Sequence, residues 1–139
     1  MSKKEIHEIT KEVHKSIIRK FPRRKVIVNG IDDVWSLDLV EMQQFANENN
    51  GYKYMLTCID CFSRYAWAEP IITKTAENVL KALQKIISQS KRMPEKLWCD
   101  KGAEFVNAKM KAWMNKNDCT MYHTFSESKS VMIERWNRI

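Results

Sequence analysis

Three acids in this chain stand where chemistry could be done: Asp38, Asp100 and Glu134. Asp38 interrupts the alternating run Trp35-Ser36-Leu37-Asp38-Leu39-Val40, which reads as a strand with two unlike faces. A lone carboxylate in mid-strand is costly to bury, so it needs a surface position, a basic partner or a metal. Asp100 follows Lys96-Leu97-Trp98-Cys99 and precedes Lys101-Gly102, at the C-terminal end of a short strand, where open α/β sheets gather their reactive groups. Glu134 falls in a final helical pattern with Val131, Ile133 and Asn137, capped by Ser128 or Ser130. If the two strands are neighbours and this helix crosses their edge, three carboxylates share one space. They repel one another, and a divalent cation is the natural partner. Taken singly, each acid also reads as a solvated surface residue.

Cysteine and histidine offer less. Cys58 and Cys61 form a C-x-x-C, but Cys99 and Cys119 stand alone, so the second close pair of a zinc site is missing. Cys58 is expected to be a small buried hydrophobe, and reduced cysteines fit an intracellular compartment. His7 and His14 are expected at a surface or core edge.

The elements that must carry the acids follow from periodicity. Ser2 and Glu5 can form a capping box, and Ile6, Ile9, Val13, Ile17 and Ile18 repeat at helical spacing until Pro22. From Val34 the pattern turns to strands: one to Val40, a second over Tyr52–Ile59, a third over Tyr65–Ile71. Turns at Glu48-Asn49-Asn50-Gly51 and Asp60 to Ser63 join them into an antiparallel meander. After Thr75 the stripe Val79, Leu80, Ala82, Leu83, Ile86, Ile87 predicts an amphipathic helix, with Lys81, Gln84 and Lys85 outward. Pro94 lies in the next connection. Asn107 can cap a helix with Met110, Trp113 and Met114 inward, and Cys119 to Thr124 is a fifth strand. The order implies an α/β domain with a mixed sheet.

Charge divides the chain unevenly. Residues 1–25 carry nine Lys/Arg against three Glu, whereas residues 26–139 carry fifteen against fourteen acids. Most of the +7 net charge therefore belongs to the N-terminal arm, which includes Arg23-Arg24-Lys25, and clustered cations of this kind bind polyanions by releasing counterions from phosphate. With 44% apolar and 29% charged residues, the composition excludes a disordered tail. No apolar run suits a membrane span, and Met1 to Lys15 has no signal-peptide core.

From Val34 to Ile139 the chain resembles the catalytic core of retroviral and transposon integrases. The likeness rests on Trp35-Ser-Leu-Asp38-Leu, on Gly51-Tyr-Lys-Tyr54 with Ile59-Asp60-Cys-Phe-Ser-Arg-Tyr-Ala-Trp67, on Trp98-Cys-Asp100-Lys-Gly102-Ala-Glu-Phe105, and on Glu134-Arg-Trp-Asn137-Arg138. It looks nearest to integrases of large self-synthesising DNA transposons. The resemblance implies an RNase H-like fold: a mixed five-stranded sheet flanked by helices. It divides the chain into a basic helical arm and linker, residues 1–33, and a core, residues 34–139.

The family's catalytic and metal-binding acids fall on Asp38, Asp100 and Glu134, the last two separated by 33 residues, close to retroviral spacing. Asp60 falls on a position that supports the fold, Phe105 on one that anchors a short helix, and Glu104 on the motif flanking Asp100. Arg138 falls where the family contacts DNA, and Arg23, Arg24 and Lys25 would add phosphate contacts. The implied reaction is DNA integration by phosphoryl transfer, comprising 3′-end processing and strand transfer. It would use two Mg²⁺ ions, or Mn²⁺ in their place, about 3.5–4 Å apart when DNA is bound.

Double-stranded DNA is the implied partner, with homo-oligomerisation in the complete protein and no membrane. The implied location is the nucleus for a eukaryotic mobile element and otherwise intracellular. Lys101 replaces a common asparagine, Glu127 and Val131 stand roughly where retroviral members have a proline and a glycine, and the arm lacks the His/Cys zinc module. The chain ends five residues after Glu134, so the core is expected to be C-terminally truncated. Four readings stand side by side: an integrase, an RNase H-like metal-dependent nuclease, a non-catalytic nucleic-acid-binding remnant of a mobile element, and a structural protein with incidental acids.

Overall fold

The structure is a computed structural model that describes residues 3–13, 27–123 and 137–138. Helix α1 spans Lys3–Val13. Ser2, residues 14–26 with Arg23, Arg24 and Lys25, and the helical pattern around Glu134 lie outside the described residues. Among the described residues no helix is long and apolar enough to cross a membrane.

Strands β1 (Val34–Glu41), β2 (Tyr54–Asp60) and β3 (Ala66–Ile71) form the expected antiparallel meander. Helix α2 (Ala76–Ser90) then returns the chain to β4 (Lys96–Cys99), and helix α3 (Ala108–Lys116) returns it to β5 (Thr120–His123). These crossovers make β1, β4 and β5 parallel, giving a mixed sheet in the order β3-β2-β1-β4-β5.

Helix α3 starts at the cap the sequence places on Asn107, and α2 starts after Thr75, which caps it as well. The Thr75 side chain accepts from Asn78 N at 3.3 Å, and the Asn107 side chain accepts from Met110 N at 2.9 Å. Such caps satisfy one of the amides that a helix start leaves open, each worth about 1 kcal/mol. The apolar stripe of α2 is buried at Val79, Ala82, Leu83 and Ile86, and α3 buries Met110 and Met114. They pack on the sheet face that carries Trp35, Leu37, Leu56, Cys58, Leu97 and Cys99. Phe105, in the turn before α3, is 1% exposed and fills the same core.

Three strand starts shift, β3 by a single residue to Ala66. Tyr52 stays outside β2 because its amide donates to Asn49 O at 3.1 Å, in a turn whose Gly51 adopts φ +85°. Cys119 stays outside β5 because its amide closes the end of α3 on Met114 O at 3.0 Å.

All four cysteines are free and buried. Burial pushes the thiols up, Cys61 and Cys119 to about 11 and Cys99 to about 12, so they remain protonated at neutral pH. They behave as small hydrophobes, as the sequence implied for Cys58.

Candidate active site

The parallel pairing of β1 with β4 sets the site. Ser36 lies opposite Trp98 at the end of their ladder; Asp38 stands two residues further along β1, and Asp100 two residues further along the chain, directly after β4. Neighbouring strands lie about 4.8 Å apart, and the two-residue period puts Asp38 on the face shared by Ser36 and Trp98. The core helices cover the other face. The topology therefore carries Asp38, in the second half of β1, and Asp100, directly after β4, on neighbouring parallel strands of one sheet.

Each carboxylate is oriented by local donors. Asp38 is half-buried; its Oδ1 accepts from Leu39 N at 3.0 Å and its Oδ2 from Asn137 Nδ2 at 2.7 Å. Asp100 is exposed, and its Oδ1 accepts from Gly102 N at 2.9 Å. His123, at the end of β5, places Nδ1 3.3 Å from the Asp100 carbonyl oxygen. Thr57, directly across from Asp38 on β2, donates its hydroxyl to Asp38 O at 3.2 Å. Ser36 Oγ and Asn137 Oδ1 are buried without a hydrogen-bond partner among the described residues. The partner that mid-strand Asp38 needs is thus supplied in part by a neutral amide 99 residues away.

Of the sequence-predicted residues, Asp38 lies on β1 and Asp100 directly after the neighbouring strand β4, and Arg138 is exposed next to Asn137. Glu134, Arg23, Arg24 and Lys25 lie outside the described residues. Among the described residues no group of three or more His, Cys, Asp or Glu side chains is placed to hold a metal ion.

Asn137 and His123 were not singled out as site residues. The spacing could have found Asn137, which follows Glu134 by three residues and so shares its face in a helix. Asp60 holds no place in the site: it is fully buried at the opposite sheet end, as its fold-supporting position implied.

The integrase core domain family matches residues 29–128. The chain belongs to this family. A transposon-derived protein of Caenorhabditis elegans is 31% identical over 97 residues, covering 70% of this chain and 34% of that protein. The Pol polyprotein of Radiation murine leukemia virus is 31% identical over 106 residues, covering 75% of this chain and 18% of the polyprotein. This integrase core thus spans about a third of the worm protein (34%) and a smaller share of the viral one.

Among solved structures, the HTLV-2 integrase catalytic core domain in complex with magnesium superposes with a TM-score of 0.61 at 16% identity, covering 76% of this chain and 64% of that one. The BIV integrase catalytic core domain gives a TM-score of 0.63, again at 16% identity, covering 77% and 65%. At that identity they establish the fold, which is RNase H-like: the mixed five-stranded sheet with flanking helices.

Proposed function

We propose that this integrase core performs metal-dependent phosphoryl transfer on double-stranded DNA, trimming a 3′ end and joining it to a target strand. The supporting observation is that Asp38 on β1 and Asp100 directly after β4 belong to neighbouring parallel strands. Their oxygens are hard donors of the kind Mg²⁺ and Mn²⁺ favour. The buried Asn137 Oδ1 beside Asp38, without a hydrogen-bond partner among the described residues, also fits a cation. Glu134 precedes Asn137 by three residues, a spacing that in a helix would put both on one face, and it would supply the third carboxylate.

Asp38, Asp100 and Glu134 would hold two ions, which when bound supply positive charge at the phosphorus and lower the pKa of water or a 3′-hydroxyl. The protein's own part is placement. Leu39 N and Asn137 Nδ2 fix the Asp38 carboxylate, Gly102 N fixes Asp100, and the buried face behind them keeps β1 and β4 in register. Arg23, Arg24, Lys25 and Arg138 would bind backbone phosphates, a contact that positions DNA without reading its sequence. In its complete form the protein would work as a homo-oligomer, in the nucleus if its element is eukaryotic. The worm relative's transposon origin is compatible with a kinship to large DNA transposons.

The test is cleavage and joining of a labelled duplex in Mg²⁺ and Mn²⁺, with folding checked for each variant. Asp38→Asn, Asp100→Asn and Glu134→Gln should each reduce both reactions to background while leaving DNA binding intact; Glu127→Gln should retain them. Cleavage without joining would make the chain a nuclease. Binding with no cleavage by the wild type under either metal would make it a remnant. Normal activity in any folded member of the trio would remove that acid from the site.

A further inference from the structure

The turn after Asp100 is built around a residue with no side chain. Gly102 N donates to Asp100 Oδ1, while Gly102 O accepts from Phe105 N at 3.0 Å and Val106 N at 2.9 Å. Phe105 is buried, so the turn is anchored in the core. Gly51, not Gly102, is the glycine with positive φ, so backbone conformation alone would admit an L-residue at 102.

The obstacle is Glu104. A Cβ built on Gly102 would lie 2.6 Å from Glu104 Cδ, 2.6 Å from Oε2 and 2.7 Å from Oε1, far inside van der Waals contact. The Glu104 side chain is only 11% exposed, and it meets Lys74 Nζ at 3.5 Å. Lys74 also lies 3.5 Å from Glu41, the last residue of β1 and three residues beyond Asp38. Glu104 is the chief cause that raises the Lys74 pKa, which keeps the lysine charged in this position. Lys74 thereby joins the loop before α2, the end of the Asp38 strand and the Asp100 turn.

We propose that Glu104, held by Lys74, is a positioning residue for Asp100: its carboxylate lies on Gly102 and sets the turn whose amide orients the Asp100 side chain. A carboxylate with one oxygen bound to a fixed amide loses rotation about its last bond, which is what a metal-binding acid requires of its surroundings. Glu104 acts through Asp100 and does not itself touch the reacting phosphate. A side chain at 102 would have to displace the Glu104 carboxylate from its place beside Lys74. The inference rests on Asp100 being a site acid, as proposed above.

The experiment compares wild type with Gly102→Ala, Glu104→Ala, the double variant and Glu104→Gln. Two signals are followed by NMR: the backbone amide of residue 102 in metal-free protein, and the Mg²⁺ concentration that half-shifts the spectrum. Glu104→Ala should move the amide signal upfield, as its bond to Asp100 loosens, and raise the Mg²⁺ requirement about 10-fold. Glu104→Gln keeps the same bulk over Gly102 and should retain most of both signals.

Gly102→Ala should lose more than Glu104→Ala, and the double variant should return to the level of Glu104→Ala alone, because the new methyl group then occupies vacated space. A Gly102→Ala protein that fails to fold while the double variant folds supports the clash. The proposal is overturned if Gly102→Ala leaves the amide signal in place, if the double variant matches Gly102→Ala or neither folds, or if Glu104→Ala leaves the signal unchanged. A wild type that shows no response to Mg²⁺ would count against the three-acid reading, while the metal-free amide comparison would still decide the positioning role.

Discussion

The acids around Arg92 at one end of the sheet and the pair Asp38 and Asp100 toward the other are held differently. At the end where β1 and β4 begin, Arg92 Nε lies 2.8 Å from Asp32 Oδ1 and its Nη2 2.8 Å from Asp60 Oδ2, while Lys96 Nζ lies 2.8 Å from Asp33 Oδ1. Asp60 also accepts from the Ser63 hydroxyl and amide and from the amides of Asp32 and Phe62. The Arg92 guanidinium sits 4.9 Å from the Trp67 ring centroid and 5.8 Å from that of Trp35, whose own Nε1 donates to Asp32. At the end where β1 and β4 finish, amides among the described residues reach both acids: Leu39 and Asn137 donate to Asp38, and Gly102 donates to Asp100.

A cation beside each acid neutralises it and fastens loops. An amide orients a carboxylate and leaves its charge in place for something else. The difference teaches that buried acids serve structure at one end, while at the other the fold spends its hydrogen bonds on aim.

Removing the cation should have the largest effect. Arg92→Met leaves the fully buried Asp60 carboxylate without its counter-charge, and breaking such a pair typically costs about 3–5 kcal/mol. Urea unfolding at pH 7 should show that loss. A midpoint within error of wild type would mean that Ser63 and the amides suffice to hold Asp60.

Acidification should separate the two ends next. Burial pushes the Asp60 carboxyl up, but hydrogen bonds from Ser63 and Arg92 more than offset it, and its pKa lies below the usual range. Asp33 is lowered too, by the Asn29 amide and then by Lys96. Because the folded pKa values lie below the unfolded value of about 3.9, this stability is present above about pH 4 and is lost as pH falls through them. Wild-type unfolding midpoints should therefore drop between pH 5 and pH 2.5, and Arg92→Met should drop less over the same interval. An equal drop in both would place the acid sensitivity elsewhere.

Much of this arrangement was legible because its causes are local. Asn107 is a cap residue directly before an apolar stripe, and the alternation around Asp38 marks both the strand and the misfit within it. The placement of Asp100 after a short apolar run was equally readable. Asp38 and Asp100 come to neighbouring strands only because α2 carries β4 back beside β1, a fact of topology that neither local pattern contains.

The Arg92 cluster was not legible at all: its partners Asp32 and Asp60 are 60 and 32 residues away, and arginine after a helix reads as surface. The role of Gly102 was hidden for a different reason. A glycine in a turn suggests backbone freedom, whereas here the constraint is the side chain of Glu104, which only packing reveals.

The central claim is that one sheet end binds divalent metal and the other holds the fold. Thermal unfolding with and without Mn²⁺, on wild type, Asp38→Asn, Asp100→Asn and Arg92→Met, tests it most directly. A ligand that binds only the folded state at about 100 times its Kd stabilises by about 2.7 kcal/mol. Wild type should gain Tm with Mn²⁺. Asp38→Asn and Asp100→Asn should begin within about 1 kcal/mol of wild type or above it, since a repelling charge is gone, and should gain little. Arg92→Met should begin much lower yet keep the wild-type increment. An increment that survives in both aspartate variants, or is absent from wild type, would contradict the account.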